Sequence, residues 1–118
     1  MRPLIWLGAS RRDYRQFPGR VQDVLGYELF LVQKGQRPAS AKQLKGFGSG
    51  MLELIEDFDG DTYRAVLTVR LVRAVYVLHA FKKKSKHGIG TPRHEIELIR
   101  KRLKVAEQAD RIQAGNGE

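Results

Sequence analysis

The sequence predicts an α+β domain in which a small, mostly antiparallel sheet carries an N-terminal helical hairpin and a C-terminal helix. Two stretches with apolar residues at helical spacing lie before Gly35, and a third closes the chain. Between them, three runs rich in β-branched and aromatic residues follow one another from Met51 to Lys82, separated only by tight turns. Strands joined by tight turns pair antiparallel, and segregated helices and strands mark the α+β class. At 118 residues the chain is a single domain, 1–118, with one hydrophobic core.

Leu4 to Leu7 is a short apolar strand ended by Gly8. Ser10 and Asp13 have capping-box spacing and open a short helix over Arg11–Phe17, which Pro18-Gly19 interrupts. A longer helix runs from about Gly19 to Lys34, with Val21, Val24, Leu25, Leu29 and Val32 on its apolar side. Gly35 stops it, and Pro38 lies just beyond. Residues from Ala39 to Gly50 form a Gly- and Lys-rich loop. Met51–Phe58 is a strand, Asp59-Gly60-Asp61 a hairpin turn, and Thr62–Leu71 an alternating strand with Arg64, Val66, Thr68 and Arg70 on one face. A turn near Val72-Arg73 leads to the central strand, Ala74 to Lys82, and a loop covers His87–Gly90. Thr91 caps the last helix and Pro92 takes its first position. Its stripe is Ile96, Ile99, Leu103 and Ala106, with Glu97–Lys101 and Glu107–Arg111 as supporting pairs. Residues from about 113 to 118 are expected to fray. The order is β-α-α-β-β-β-α.

Lys+Arg 22 against Asp+Glu 13 gives a net charge of +9 and a pI near 10.2. A small domain this basic meets nucleic acid, an anionic surface or an acidic partner. The absence of cysteine excludes a disulfide framework, a thiolate metal site and a thiol nucleophile. The N-terminal apolar run is too short for a signal peptide, and no stretch approaches the roughly 18 apolar residues of a membrane span. The expectation is a soluble, cytoplasmic protein.

The central strand Val75-Tyr76-Val77-Leu78-His79-Ala80-Phe81 passes directly into Lys82, Lys83, Lys84 and Lys86. From Lys82 to Lys104, nine Lys/Arg (82, 83, 84, 86, 93, 100, 101, 102, 104) face two Glu (95, 97). With Arg64 and Arg70 on the preceding strand and Lys42 and Lys45 in the loop, this pattern suits salt-sensitive binding of a polyanion; the bland alternative is a solvated basic surface. His79 can exchange a proton near neutral pH, or it is a packed strand histidine sharing a face with Val75, Val77 and Phe81. Arg64 can clamp a phosphate through two hydrogen bonds, or it pairs with Glu53 or Glu56 across the hairpin. Gly46-Phe47-Gly48-Ser49-Gly50 lacks the lysine and hydroxyl of a phosphate loop. Asp57–Asp61 lacks the closing glutamate of a calcium loop, and the three histidines lack zinc-ligand spacing.

The order of elements resembles the RelE/ParE toxin superfamily. The run Tyr76-Val77-Leu78-His79-Ala80-Phe81-Lys82-Lys83-Lys84-Ser85-Lys86, followed by Thr91-Pro92 and Glu95-Ile96-Glu97-Leu98, resembles its phage-derived, HigB-type branch. Leu44-Lys45-Gly46, Gly50, Glu53-Leu54, Asp59-Gly60 and Tyr63-Arg64 match as well. The resemblance implies the toxin of a type II toxin–antitoxin system, a ribosome-dependent mRNA endonuclease. In this chemistry the ribose 2′-OH attacks the adjacent phosphate without a metal or other cofactor. It implies a helix-turn-helix, HigA-like antitoxin, with the ribosome and mRNA as further partners. By position, Arg64 binds the scissile phosphate, His79 is the general base or acid, and Lys82, Lys83 and Lys84 hold the RNA backbone or the leaving group with Lys45 in support, Lys83 being the catalytic candidate among them. Together with the charge pattern, Lys45, Arg70, Lys82, Lys84 and Lys86 are the candidates for holding RNA. RelE proper carries lysines where this chain has Glu53 and Ile55. The rival readings are a non-catalytic RNA-, DNA- or protein-binding module of the same fold and, as in ParE-like relatives, an inhibitor of DNA gyrase.

Overall fold

A computed structural model of the chain describes residues 1–84 and 90–116. The elements are β1 (Leu4–Trp6), α1 (Ser10–Arg15), α2 (Gly19–Gln33), β2 (Lys42–Gln43), β3 (Met51–Phe58), β4 (Asp61–Thr68), β5 (Val75–Lys84) and α3 (Arg93–Asn116). The sheet order is β1-β5-β4-β3-β2. β1 runs parallel to β5, and the other neighbours pair antiparallel. The expected α+β class, with its hairpin of helices and C-terminal helix, is the fold observed.

Each face of the sheet is covered by helix. On one side Phe17, Val21, Leu25 and Val32 from the helical hairpin pack on Leu54, Ala65, Leu67 and Val77. The rings of Trp6, Tyr14, Phe17 and Tyr63 form a chain with centroids 5.2, 5.9 and 4.9 Å apart, which seats α1 on the strands. On the other side Ile99, Leu103 and Ala106 of α3 pack on Met51, Val66, Tyr76 and Leu78. Each fully buried side chain of this size contributes about 1.5–3 kcal/mol.

Several local readings need correction. The loop from Ala39 to Gly50 contains β2, which exists because Lys42 and Gln43 pair with Glu53 and Leu52, although both residues are exposed. β4 ends at Thr68 because its last carbonyls are taken elsewhere: the Arg2 guanidinium donates to Val69 O (2.9 Å) and Leu71 O (2.8 Å). β5 continues two residues past Lys82. Ser10 does not cap α1; its hydroxyl donates to Val77 O at 3.2 Å, tying the start of the helix to β5. The first turn of α3 closes on Pro92 O, so the helix opens one residue later than expected, and it extends to Asn116. Glu97 pairs with Arg93 and Glu107 with Arg70, in place of the two expected pairs.

The largest departure is in β5. Val66 pairs with His79 and Leu67 with Val77, so Leu78 is an extra residue in the ladder. This bulge shifts the alternation: Val77 and Ala80 both face the helical hairpin, while Leu78 and Phe81 both face α3. His79 therefore leaves the face of Val75 and Val77 and stacks on Phe81, with centroids 4.9 Å apart.

The turn between β4 and β5 is held from outside. The buried Asp110 carboxylate of α3 accepts from the backbone N–H of Val72 (3.3 Å) and Arg73 (3.0 Å) and from the Tyr76 hydroxyl (3.2 Å). Removing it strands three donors, and Asp110→Ala should lower stability by about 2–3 kcal/mol. Urea denaturation measures this, and a loss near zero would show that the turn holds without α3.

Candidate functional site

Because β1 stops at Trp6, opposite Val77, β5 beyond that point has no strand on its outer side among the described residues. Its carbonyls there are met by other groups. Leu7 N–H donates to Val77 O (2.9 Å), and the Arg102 guanidinium donates to Leu78 O (2.9 Å). A cleft of about 430 Å³ straddles this edge. It is lined by Asp13 of α1, Phe17 just beyond that helix, Tyr63 of β4, His79, Phe81 and Lys82 of β5, and Glu95 of α3.

His79 sits at its floor, almost fully buried. Arg102 Nη1 lies 3.3 Å from Nδ1, and Glu95 Oε2 lies 2.9 Å from Nε2. A guanidinium only donates, so Nδ1 accepts and Nε2–H donates to the carboxylate. The imidazole is neutral in a defined tautomer. Burial pulls its pKa below the ordinary 6.5, against the opposing pull of Glu95; the Arg102 charge lowers it further and Asp13 raises it. Glu95 Oε1 also lies 3.1 Å from His94 Nε2. Arg102 reaches this place because Gly8 makes room. Gly8 has φ +54°, and a Cβ there would stand 2.7 Å from Arg102 Nε.

Arg64 lies on the same face of the sheet, opposite Phe81 on β5 and Ile55 on β3. Its Nη1 donates to Glu53 Oε1 at 2.8 Å, with the two side chains 18% and 7% exposed. Glu53 Oε2 and Arg64 Nε are buried with no hydrogen-bond partner. Glu53, counted in the sequence only as an ion-pair partner, is thus a carboxylate with a vacant acceptor beside a guanidinium with a vacant donor. Such a pair can receive a phosphate oxygen and take a proton, provided Glu53 yields its hold on Arg64.

Arg64, His79, Lys82 and Lys83 are brought to the same half of neighbouring strands. Lys82 is half exposed, with Nζ 3.7 Å from Asp61, and Lys83 Nζ donates to Gly90 O at 2.7 Å. Lys84 is the last residue of β5, opposite Asp61. Lys86 lies outside the described residues, as does most of the expected 87–90 loop. Arg70 and Lys45 are elsewhere. Arg70 follows the far end of β4, where it donates to Phe47 O and Ser49 O and pairs with Glu107. Lys45 is exposed in the turn between β2 and β3, next to Leu44, whose N–H donates to Met51 O. Met51 and Thr68 are opposite each other at one end of the sheet, and Asp61 and Lys84 at the other. The seven steps from Asp61 to Thr68 separate the two cationic groups by about 23 Å. In the sequence Glu95 belongs to the segment that carries the family resemblance and Arg102 is one of nine cations, and neither stands out as a site residue. Their signal was spacing: seven residues apart, they lie on the stripe of Ile99 and Ala106 that packs on the sheet.

The family model described as Phage derived protein Gp49-like (DUF891) matches residues 12–104, from α1 to well inside α3. The chain belongs to this Gp49-like family. The matched span holds Asp13, Arg64, His79, Glu95 and Arg102. The Gp49-like family is RelE- and toxin-like, which makes the chain a phage-derived, toxin-like protein and suggests an antitoxin partner in general. No curated protein matches this Gp49-like chain. None of its described helices is long and apolar enough to cross a membrane.

The neutral His79 carries a pH signature. Its folded pKa is depressed, so the unfolded chain takes up the proton first as pH falls. The stability it contributes is complete above about 6.5 and is lost progressively below that value. Urea denaturation of the Gp49-like chain between pH 7.5 and 5 should therefore show a steeper loss of stability than in His79→Gln. Parallel curves would mean that His79 titrates alike in both states.

Proposed function

We propose that this protein is the toxin of a type II toxin–antitoxin system and acts as a ribosome-dependent mRNA endonuclease. The observation that carries the reading is the clustering, on adjacent strands of a toxin-like protein and the helix α3 beside them, of the Arg64–Glu53 pair, the His79–Glu95 pair and the lysines of β5. The reaction requires a base to take the proton of a ribose 2′-OH, whose oxygen then bonds to the adjacent phosphorus. The bond to the 5′ oxygen breaks, and that oxygen receives a proton, leaving a 2′,3′-cyclic phosphate and a 5′-hydroxyl. Arg64 holds the phosphate and stabilises its developing charge. His79, once released from Glu95 or Arg102, exchanges protons. Lys83 meets the leaving group, and Lys82, Lys84 and Lys86 hold the backbone on either side. Lys45 and Arg70, about 23 Å away, fit contacts with a more distant part of the ribosome or message. The antitoxin is a helix-turn-helix, HigA-like protein, and the site of action is the cytoplasm.

A second reading has its own observation. Glu53 already neutralises Arg64, and both ring nitrogens of His79 are engaged inside the protein. A chain that keeps those bonds binds RNA, DNA or a protein without cutting.

The test uses purified protein on ribosomes programmed with a defined mRNA, with product ends mapped. The toxin reading expects A-site cuts ending in a cyclic phosphate, and losses of about 10²-fold or more in Arg64→Ala and His79→Ala. Circular dichroism establishes that the variants fold. Cuts that survive both substitutions would retain the function and reject these residues. Salt-sensitive ribosome binding without any cut would select the binding module.

A further inference from the structure

The outward side of α2 carries an apolar stripe separate from the one that enters the core. Val24, Tyr27 and Leu31 follow at helical spacing, and with Pro38 beyond the helix they wall a groove of about 410 Å³. Tyr27 is 62% exposed, and Phe30 beside it is 42% exposed. The charged residues lining the groove are Asp23 and Glu28, with no lysine or arginine among them, on a chain of net charge +9. Glu28 Oε2 accepts from the Ser40 hydroxyl, but Oε1 is buried without a hydrogen-bond partner. Burial raises the Glu28 carboxyl above its ordinary range, the Ser40 bond opposes this, and the charge of Glu56 adds to it.

We propose that this groove docks an amphipathic helix of a partner protein, whose apolar side lies on Val24, Tyr27 and Leu31 and whose lysine or arginine reaches Glu28 and Asp23. The occupant follows from the chemistry. Apolar residues spaced i, i+3 and i+7 along about two turns of one helix form a surface that another helix covers with its own anchors. Asp23 is exposed in the groove and takes a lysine or arginine directly; the same kind of residue supplies Glu28 Oε1 with its missing donor once that buried oxygen turns outward, and has no acceptor of its own to leave unsatisfied. Nucleic acid is disfavoured because its phosphates would meet Asp23, Glu28 and Glu56. A second copy could offer the basic outer side of α3, which exposes Val105 and Ile112. However, α2 and α3 lie on opposite faces of the sheet, so that contact runs head to tail and does not close into a dimer. The site is also distinct from the cleft of His79, so docking here does not depend on whether the chain cuts RNA.

The test titrates the full chain into two fluorescein-labelled model helices of equal length, one built of Leu and Lys and the other of Leu and Glu. Net charge alone favours the Leu/Glu helix. The proposal expects saturable binding of the Leu/Lys helix that weakens at least about tenfold in Tyr27→Ser and in Glu28→Lys, with binding of the Leu/Glu helix unchanged or tighter. Tyr27→Ser alters an exposed side chain and serves as the variant that keeps its fold. Absence of Leu/Lys binding, or binding that survives both substitutions, overturns the proposal. Self-association of the wild-type chain in sedimentation, abolished by Glu28→Lys, would assign the groove to a second copy and overturn the choice of occupant.

Discussion

The guanidinium of Arg102 is the contact on which the cleft of His79 depends. It lies against Gly8, donates to the carbonyl of the extra residue Leu78 and donates to His79 Nδ1. Those contacts join the segment after β1, the bulge of β5 and α3. A bulge leaves a backbone group without its ladder partner, and a buried carbonyl in that state is costly. Arg102 supplies the missing donor and in doing so sets the tautomer of His79. Burial lowers the pKa of Arg102 itself, but a guanidinium remains charged at any physiological pH. The tautomer is thus fixed by a group that does not titrate.

The two polar pairs in the interior have opposite consequences. The His79–Glu95 contact lets a neutral ring sit under a carboxylate at the cleft wall. The Glu53–Arg64 contact joins two full charges and leaves an atom unsatisfied on each. A half-satisfied buried pair contributes less to stability than a complete network or a well-packed apolar patch.

Much of the architecture was legible in the sequence because it is written in local patterns. The spacing of Val21, Leu25, Leu29 and Val32 marks α2, Asp59-Gly60 marks the hairpin, and the apolar run before Lys82 marks β5. What escaped depends on tertiary partners. No glycine signals the bulge at Leu78, and the face of His79 is decided by α3 fifteen or more residues away. β2 is made by its neighbour, not by the propensity of Lys42 and Gln43. Arg64 pairing with Glu53 was one of two stated alternatives, since cross-strand pairs follow from hairpin register. Arg102 was not distinguishable by type from Arg100 or Lys101, and only its register with Ile99 and Ala106 separates a buried cation from solvated ones. The apparent convergence of cations dissolved for a similar reason: sequence proximity to a strand does not say at which of its ends a side chain lies.

The brevity of β1 has one more consequence. Past Trp6 no strand covers the outer side of β5 among the described residues; Leu78 to Phe81 are nevertheless buried, and the edge opens at Lys82, where an open edge is a template for strand pairing between molecules. Lysines are the residues that block such pairing, because two copies bring like charges together. Lys82 and Lys83 stand where the edge opens, so like charge opposes pairing between copies of the chain there. Any acidic partner that neutralises these lysines removes that protection and must cover the edge itself, which makes colloidal stability a property of the complex rather than of the chain alone.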